Sequence, residues 1–498
     1  MSDRPNILWI CTDSQRWDTL GCTGNPFVRT PSLDKLAAGG VRFANAFSQS
    51  PLCTPSRGSF LTGRYPVTNR LRQNGQECPA DLRPVTRDLA DAGYACGLVG
   101  KLHLNPCDRR LELGPDWRER DRRDWFRGAE PRLDDGYSVF EWDHSAKSED
   151  PASAYGRWLR GRGVSVPLEK PPREDCEFVL VGPAIEDHQT TWGCERAMTF
   201  VESYADDPHP WLLSLNLYDP HFPFDPPPEL LDRYLDRLDE IPLPVDADRD
   251  PATHPAGRQR WAERDAGRSD RDHRMVRAAY WAMIDLLDLQ LGRLLDTLDR
   301  TGQREDTLVI FTSDHGEMLG DHGLYKKGPA LYEPAVHVPL ILSQPGTLPA
   351  GEVVEDPVEL SDLVPTLRER CGLEPGRAVQ GRSLAPLLGG GGDAEPWRDS
   401  VYAEYLNANP DKPAVYLTMV RTRDAKLVRH HAPGNAPGNA SGGASGGGEL
   451  YDLAADPHET RNLWDDPGSA SLKTDLLLRL TDRQALTADP LPRRVGVF

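Results

Sequence analysis

Four apolar runs, each followed closely by polar side chains, restrict the fold of this chain more than any other feature of its sequence. Continuous apolar runs of this length are typical of strands buried on both faces of a parallel sheet. Helical patterns separate the runs, and one of them carries a single apolar stripe over residues 276–298. The alternation predicts an α/β domain with a large, mostly parallel or mixed sheet flanked by helices. The runs are residues 6–12 (NILWICT), 94–100 (YACGLVG), 211–217 (WLLSLNL) and 307–313 (TLVIFTS).

The polar side chains after these runs are candidates for a binding site. Sheets of this kind gather ligands beyond the carboxyl ends of their strands, where all of these side chains are predicted to lie. Strand alternation would also aim Lys101 and His103 to the same side. The candidates are Asp13, Lys101, His103, His221, Asp314 and His315.

Breaks in this pattern predict the domain organisation. Residues 104–190 have little periodicity. This predicts either an insertion over the rim of the site that determines which substrate fits, or a partly ordered surface loop. The GGGGD stretch at 389–393 predicts a linker. We therefore expect a catalytic domain at 1–388 and a smaller antiparallel sheet with a helix near 468–485 in 389–498, with a Gly/Ser/Asn-rich loop at 432–448.

Charge and cysteine usage restrict the partners and the compartment. The 77 acidic residues exceed the 58 basic ones by 19, which disfavours nucleic acid but allows a small anionic substrate. No apolar run is long enough to span a membrane, and the start lacks a signal-peptide pattern. The nine cysteines are scattered without paired spacing. We expect a reduced cytoplasmic protein without a membrane partner. Secretion through a cleaved upstream segment is the alternative, and a homo-oligomer is left open.

Cys53, in SPLCTPSRGSFLTG, raises the question of what a cysteine does at this point. Taken alone it could be a buried thiol, a metal ligand, a nucleophile or the precursor of another group. Its neighbours form a Cys-x-Pro-x-Arg pentad, and Arg57 would share one helix face with Cys53.

The ordered motifs resemble the sulfatase family of the alkaline-phosphatase-like superfamily over nearly the whole chain. They run from PNILWICTDSQRWDTLGCTGN through CTPSRGSFLTGRYP, GKLHL, DPHFPFDPP and SDHGEMLGDHGLYKKGPALYEPAVHVPLIL to ELYDLAADPHETRNL. The resemblance implies that a formylglycine-generating enzyme oxidises Cys53 to formylglycine (3-oxoalanine). It also implies hydrolysis of a small sulfate ester to an alcohol and inorganic sulfate. The hydrated aldehyde would offer one hydroxyl to attack sulfur and a second to release sulfate.

The resemblance also implies a metal site. Hard oxygen ligands suit Ca²⁺, with Mg²⁺ or Mn²⁺ as substitutes. Ser14 stands where the family usually has Asp or Gln, so it could bind weakly or through water, or Gln15 could turn inward instead. His315 replaces the asparagine of many arylsulfatases. The implied ligands are Asp13, Ser14, the modified Cys53, Asp314 and His315.

Further roles follow from the same resemblance. Arg57 would brace the hydrate, Lys101 would contact both sulfate and hydrate, and His103 would be the base that starts sulfate elimination. His221 and Lys327 would hold sulfate oxygens and protonate the leaving alcohol, with Lys326 as an alternative acid. Asn74 either lines the substrate site, as in the phosphonate monoester hydrolase branch, or belongs to an Asn-Gly turn.

Two other functions remain open at this point. A phosphonate monoester or phosphodiester hydrolase would use the same aldehyde, although Lys101 and His103 favour sulfate because that branch tends to lack the pair. A non-catalytic metal-binding relative is the second. The sulfated alcohol is left open among sugar, aryl and choline esters.

Overall fold

The structure is a computed structural model that describes residues 4–107, 130–144, 153–165, 170–376, 378–389, 396–407, 415–431 and 447–490. Its strands are β1 (Asn6–Thr12), β2 (Val41–Phe43), β3 (Ala46–Phe47), β4 (Ala95–Gly100), β5 (Val139–Trp142), β6 (Pro172–Arg173), β7 (Cys176–Leu180), β8 (Trp211–Asn216), β9 (Thr307–Ser313), β10 (His337–Val338), β11 (Leu340–Ser343), β12 (Glu352–Val354), β13 (Val358–Glu359), β14 (Ser400–Asn407), β15 (Val415–Thr422), β16 (Ala425–His431) and β17 (Gly448–Asp452). Its α-helices are α1 (Pro31–Ala38), α2 (Cys53–Thr62), α3 (Pro66–Asn69), α4 (Val85–Asp91), α5 (Ala154–Gly161), α6 (Gln189–Ser203), α7 (Pro228–Leu235), α8 (Ala256–Asp265), α9 (Asp270–Arg300), α10 (Glu333–Val336), α11 (Leu363–Arg370) and α12 (Ala470–Leu486).

A mixed eight-stranded sheet forms the centre of the fold, in the order β12-β2-β11-β9-β1-β8-β4-β5. The strands from β9 to β5 are parallel to one another, whereas β11 runs antiparallel to both β9 and β2. All four apolar runs are strands of this sheet, and the predicted α/β fold is confirmed. The runs are continuous because helices cover both faces, so successive side chains are buried on either side.

The longest helix, α9, extends the predicted stripe by one or two turns. The Ser269 hydroxyl accepts the N–H of Asp272 and begins the helix. Tyr280, Ile284 and Leu287 are fully buried, and α9 packs against α6, α7 and α1. Burial of each such aliphatic side chain contributes about 1.5–3 kcal/mol. The stripe therefore covers one face of the sheet.

The C-terminal part contains the predicted antiparallel sheet, β14-β15-β16-β17, with α12 packed on β15 and β16. Buried Lys426 joins it to the large domain, with Nζ 3.1 Å from Glu333 and 2.8 Å from Glu459. Most of the predicted linker (390–393) and of the predicted loop (432–446) lies outside the described residues. The domain boundary after residue 388 stays a prediction.

The described parts of the segment 104–190 contain regular elements as well as irregular ones. They supply β5, which extends the central sheet by pairing in parallel with β4, as well as α5, β6 and β7. The four residues of β5 are only partly buried over most of their length, so they form no continuous apolar run. Among the described helices, none combines the length and the apolar character needed to cross a bilayer.

Candidate active site

The candidate site lies at the carboxyl end of the central sheet, where β1 and β9 run side by side. Their register places Thr12 opposite Ser313, so the residues that follow, Asp13 and Asp314, are neighbours. The N–H of Asp314 donates to the Thr12 carbonyl at 3.1 Å, and both carboxylates are fully buried. Parallel pairing thus joins two acids from opposite halves of the chain.

Cys53 is the first residue of α2, and its thiol lies at the centre of the cluster. Sγ is 2.7 Å from Lys327 Nζ, 3.3 Å from His315 Nε2, 3.6 Å from Lys101 Nζ and 3.9 Å from Asp13 Oδ1. Burial and Asp13 oppose ionisation, but the surrounding cations outweigh them and hold the pKa of the thiol well below its usual range. The group at this position is therefore surrounded by charge that favours an anion.

Arg57, one turn further along α2, contacts both acids and the backbone that follows β4. Its Nε donates to Asp314 Oδ2 at 2.9 Å, Nη2 lies 2.9 Å from the same oxygen as an ion pair, and Nη1 donates to the Lys101 carbonyl at 3.0 Å. Lys101 Nζ donates to Asp13 Oδ2 at 2.6 Å. Burial works to raise the pKa of Asp13, but Lys101 and Lys327 hold it well below its usual range. Burial and then the Asp13 charge raise the pKa of Asp314. A cation between the acids would offset their repulsion.

Four side chains offer atoms for one metal ion: Asp13, Cys53, Asp314 and His315. These atoms lie within 4.8 Å of one another, a spread of about twice a calcium–oxygen bond. His315 Nδ1–H donates to the Gly316 carbonyl at 2.8 Å, which leaves the Nε2 lone pair near Asp13 and Asp314, at 3.7 and 3.6 Å. Two carboxylates and one imidazole fit a hard divalent cation, and the Cys53 thiol is the softest donor of the four.

Ser14 has a supporting position beside the two acids. Its hydroxyl donates to Asp13 Oδ1 at 2.9 Å, and its N–H donates to Asp314 Oδ1 at 3.2 Å. The Gln15 amide is held by two threonine hydroxyls, at 2.9 and 3.3 Å, so it does not turn toward the carboxylates. Direct ligation by Ser14 stays a prediction.

The structure also brings the two remaining histidines of the prediction into this cluster. Burial and then the Lys101 charge lower the pKa of His103, while burial and Lys327 lower that of His221. Both imidazoles are therefore neutral near pH 7. His103 Nδ1 is buried and has no hydrogen-bond partner in the part of the chain that is described. A neutral imidazole with a vacant nitrogen suits a proton acceptor.

Two residues adjoin the site that sequence reasoning missed, and both come from the 104–190 segment. Glu130 accepts the backbone N–H groups of residues 103 to 105 and so orients the turn that carries His103. The His144 ring lies edge-on to the His103 ring, with centroids 4.4 Å apart. An Asp-His pair directly after VFEW could have indicated His144, as the tip of a strand beside β4. No local pattern marks Glu130.

The two adjacent lysines of the YKKG stretch take different directions. Lys327 Nζ reaches both the Cys53 thiol and His315 Nε2, the latter at 2.9 Å. Lys326 has a φ of 65°, and its Nζ lies 4.0 Å from the centroid of the Phe222 ring. Of the two predicted acids, only Lys327 contacts Cys53 among the described residues.

Asn74 lies next to the start of α2. Its Oδ1 accepts the N–H of Thr54 at 2.9 Å, and the side chain is otherwise exposed. Gly75, with a φ of 83°, forms the turn that an Asn-Gly pair predicts. Asn74 therefore supports the helix that begins at Cys53, and its contact with substrate stays a prediction.

Comparisons with known proteins agree on one family. The profile of the family described as Sulfatase matches residues 5–373, and that of N-sulphoglucosamine sulphohydrolase, C-terminal, matches residues 320–486. An uncharacterized sulfatase of Escherichia coli is 30% identical over 98% of this chain and 88% of its own length. A multifunctional alkaline phosphatase superfamily protein of Trinickia caryophylli is 32% identical over 95% of this chain and 93% of its own. The solved phosphonate monoester hydrolase of Silicibacter pomeroyi has a TM-score of 0.78 at 25% identity, covering 98% of this chain and 96% of its own.

Proposed function

The chain belongs to the sulfatase family of sulfuric ester hydrolases, and we propose that it cleaves a sulfate ester with a formylglycine hydrate made from Cys53 and a divalent cation. The observation that carries this proposal is the position of Cys53. Its thiol lies among two ammonium groups and beside the acids that would hold the cation. Ca²⁺ is the proposed ion, with Mg²⁺ or Mn²⁺ as substitutes.

The charges around Cys53 support both the formylglycine hydrate and the divalent cation. In the unmodified protein, two carboxylates and the Cys53 thiol, whose pKa is held well below its usual range, face one guanidinium, two ammonium groups and the imidazole of His315. A neutral hydrate in place of the thiolate, together with a divalent cation, would leave the site net positive. A net positive and buried site favours an anionic sulfate.

The side chains around the sulfate then have separate roles. The hydrate and the cation supply an oxygen nucleophile of lowered pKa and a route for releasing sulfate. Lys101 and His221 bind sulfate oxygens, and Arg57 keeps Asp314 and the Lys101 backbone in place. Lys327 Nζ donates a proton to the leaving alcohol, and His103 accepts a proton at its vacant Nδ1.

The burial of Cys53 and the state of the cysteines bear on the maturation, the partners and the compartment of the protein. Cys53 is 1% exposed, so a formylglycine-generating enzyme would act before the chain folds around it. We propose that the other partner is a small sulfated substrate and that neither nucleic acid nor a membrane is involved. None of the nine cysteines, all of which lie among the described residues, forms a disulfide, which supports the proposal of a reducing cytoplasm.

A phosphonate monoester or phosphodiester hydrolase is the second candidate, and the likeness to the Silicibacter pomeroyi enzyme favours it. The basic residues favour sulfate. A monoanionic sulfate spreads its charge over three oxygens, which Lys101, His221 and Lys327 can bind. A phosphodiester or phosphonate carries its charge on fewer, more basic oxygens and would depend more on charge at the metal. Ser14 is neutral and its hydroxyl donates a hydrogen bond to Asp13, so it adds no charge at the metal site.

We expect sulfate esters to exceed matched phosphodiesters in kcat/KM by at least about tenfold, near 1.4 kcal/mol of transition-state preference. Sulfate and phosphodiester esters of one nitrophenol should be compared on matured protein, so that only the transferred group varies. If the phosphodiester or the phosphonate is the better substrate, the second candidate replaces the first.

A further inference from the structure

A second group of cations lies beside the sulfate-binding side chains. Phe222 directly follows His221 in the chain, and their rings stack with centroids 4.3 Å apart. Lys326 directly precedes Lys327, and its ammonium sits over the Phe222 ring at 4.0 Å. The chain neighbours of His221, proposed to bind sulfate, and of Lys327, proposed to protonate the leaving alcohol, thus contact each other. We call Phe222, Lys326 and the nearby Arg268 the cationic rim.

Arg268 adds a second positive charge to this rim. Its guanidinium lies between the rings of Phe178 and Tyr325, 4.2 Å from each centroid, and Nη1 donates to the Asp265 carbonyl. Its Nε is buried and has no hydrogen-bond partner among the described residues. The two aromatic rings hold the guanidinium in place without neutralising it.

No carboxylate of the described residues forms an ion pair with either rim cation. Over the described ranges, neither Lys326 nor Arg268 forms an ion pair, although the chain carries 19 more acidic than basic residues. Asp265, three residues before Arg268, is paired with Arg264 at 2.7 Å. Burial and then the Arg264 charge lower the pKa of Lys326, Asp265 and Glu317 act to raise it, and Arg268 lowers it. Two cations that no described acid pairs directly, beside the leaving-group side of a site, favour a substrate that brings its own anion.

We propose that the cationic rim binds a second anionic group on the alcohol part of the substrate, a carboxylate or a further sulfate. The inference rests on the proposed function, because it places the alcohol on the side of His221 and Lys327. Sulfate esters of acidic or multiply sulfated alcohols then become the preferred class. Cationic alcohols such as choline become poor substrates, since the Phe222 face that could hold a quaternary ammonium is already covered by Lys326.

Two substrates that differ only in remote charge test this inference. They are 4-(sulfooxy)phenylacetate and its methyl ester, whose phenolic leaving groups are nearly identical. We expect the acid to exceed the ester in kcat/KM by about fivefold or more, because partly buried cations attract an anion more strongly than exposed ones do. The sulfonate analogue of the acid separates a carboxylate from a sulfate-like group as the preferred anion. Choline sulfate should be poorer than its uncharged isostere, 3,3-dimethylbutyl sulfate.

Variants at Lys326 assign the preference to the rim. Lys326→Met should reduce the acid-to-ester ratio of kcat/KM by about fivefold, and Lys326→Arg should preserve that ratio. The control variant Lys35→Met, at an exposed lysine of α1, should leave the ratio unchanged. The ratio should also fall as salt is added, since rim charges are screened. Equal rates for acid and ester, or an equal loss on both in Lys326→Met, would overturn the inference while leaving the sulfatase proposal intact. Failure to cleave any sulfate ester would instead reject the proposed function.

Discussion

Cys53→Ser is expected to transfer sulfate once and then stop. The hydroxyl of the variant would lie where Sγ lies now, close to Lys327 and Lys101, so it can attack a sulfate ester with a good leaving group. It has no second hydroxyl on the same carbon, so it cannot release the sulfate. Steady-state turnover should fall by at least about a thousandfold, within the range that loss of a nucleophile costs other enzymes.

Intact-protein mass spectrometry checks this result. After incubation with nitrophenyl sulfate, Cys53→Ser should be heavier by about 80 Da, the mass of a transferred sulfo group, and Cys53→Ala should be unchanged. The matured wild-type protein should be lighter by about 18 Da at Cys53, which reports conversion to the aldehyde. Repeated turnover by Cys53→Ser would mean that the second hydroxyl is not what releases sulfate. Full activity in wholly unmodified protein would reject the aldehyde itself.

Asp314→Asn is expected to remove both metal and activity. The substitution keeps the shape of a fully buried side chain and removes one of two charged ligand candidates. Loss of outer-shell partners alone typically costs 10–100-fold in metal affinity or activity, so we expect a loss of at least about a hundredfold here. Metal content by elemental analysis and kcat should fall together, and Asp13→Asn should behave in the same way.

Asp288→Asn is the matched control for the metal prediction. Asp288 is also a buried carboxylate, but it accepts N–H groups at the start of α1 and is not one of the ligand candidates. That variant should keep its metal. Chelated wild-type protein should lose activity and regain it with Ca²⁺ or Mn²⁺. An Asp314→Asn protein with full metal content and activity, or a wild type indifferent to chelation, would contradict the metal mechanism.

Sequence patterns located the four neighbouring strands β9, β1, β8 and β4 well, because burial on both faces of the sheet produces a continuous apolar run. The run 6–12 is β1, and the run 307–313 is β9, residue for residue. The stripe at 276–298 underestimated α9 only at its ends, where the capping residue Ser269 lies beyond the apolar pattern. The short strand β5 was not predicted, because an edge strand with one buried residue does not form a continuous apolar run.

The position of site residues at strand ends was predictable for a related reason. Asp13 and Asp314 had to lie at one edge once β1 and β9 were parallel. Glu130 and His144 could not be predicted in the same way. Their contacts with the turn at His103 depend on how the 104–190 segment folds back onto β4, and distant packing of this kind leaves no local pattern.

The sequence by itself thus determined the α/β sheet, the family and most of the candidate site residues, because strand burial and motif order are properties of short segments. Only the tertiary structure decided which of these side chains touch. It directed Lys327 to Cys53 and Lys326 to Phe222, held Gln15 away from the acids, and set Ser14 against Asp13. These choices depend on differences of a few ångströms between segments far apart in the chain, and such distances are fixed by the packing of strands and helices around them.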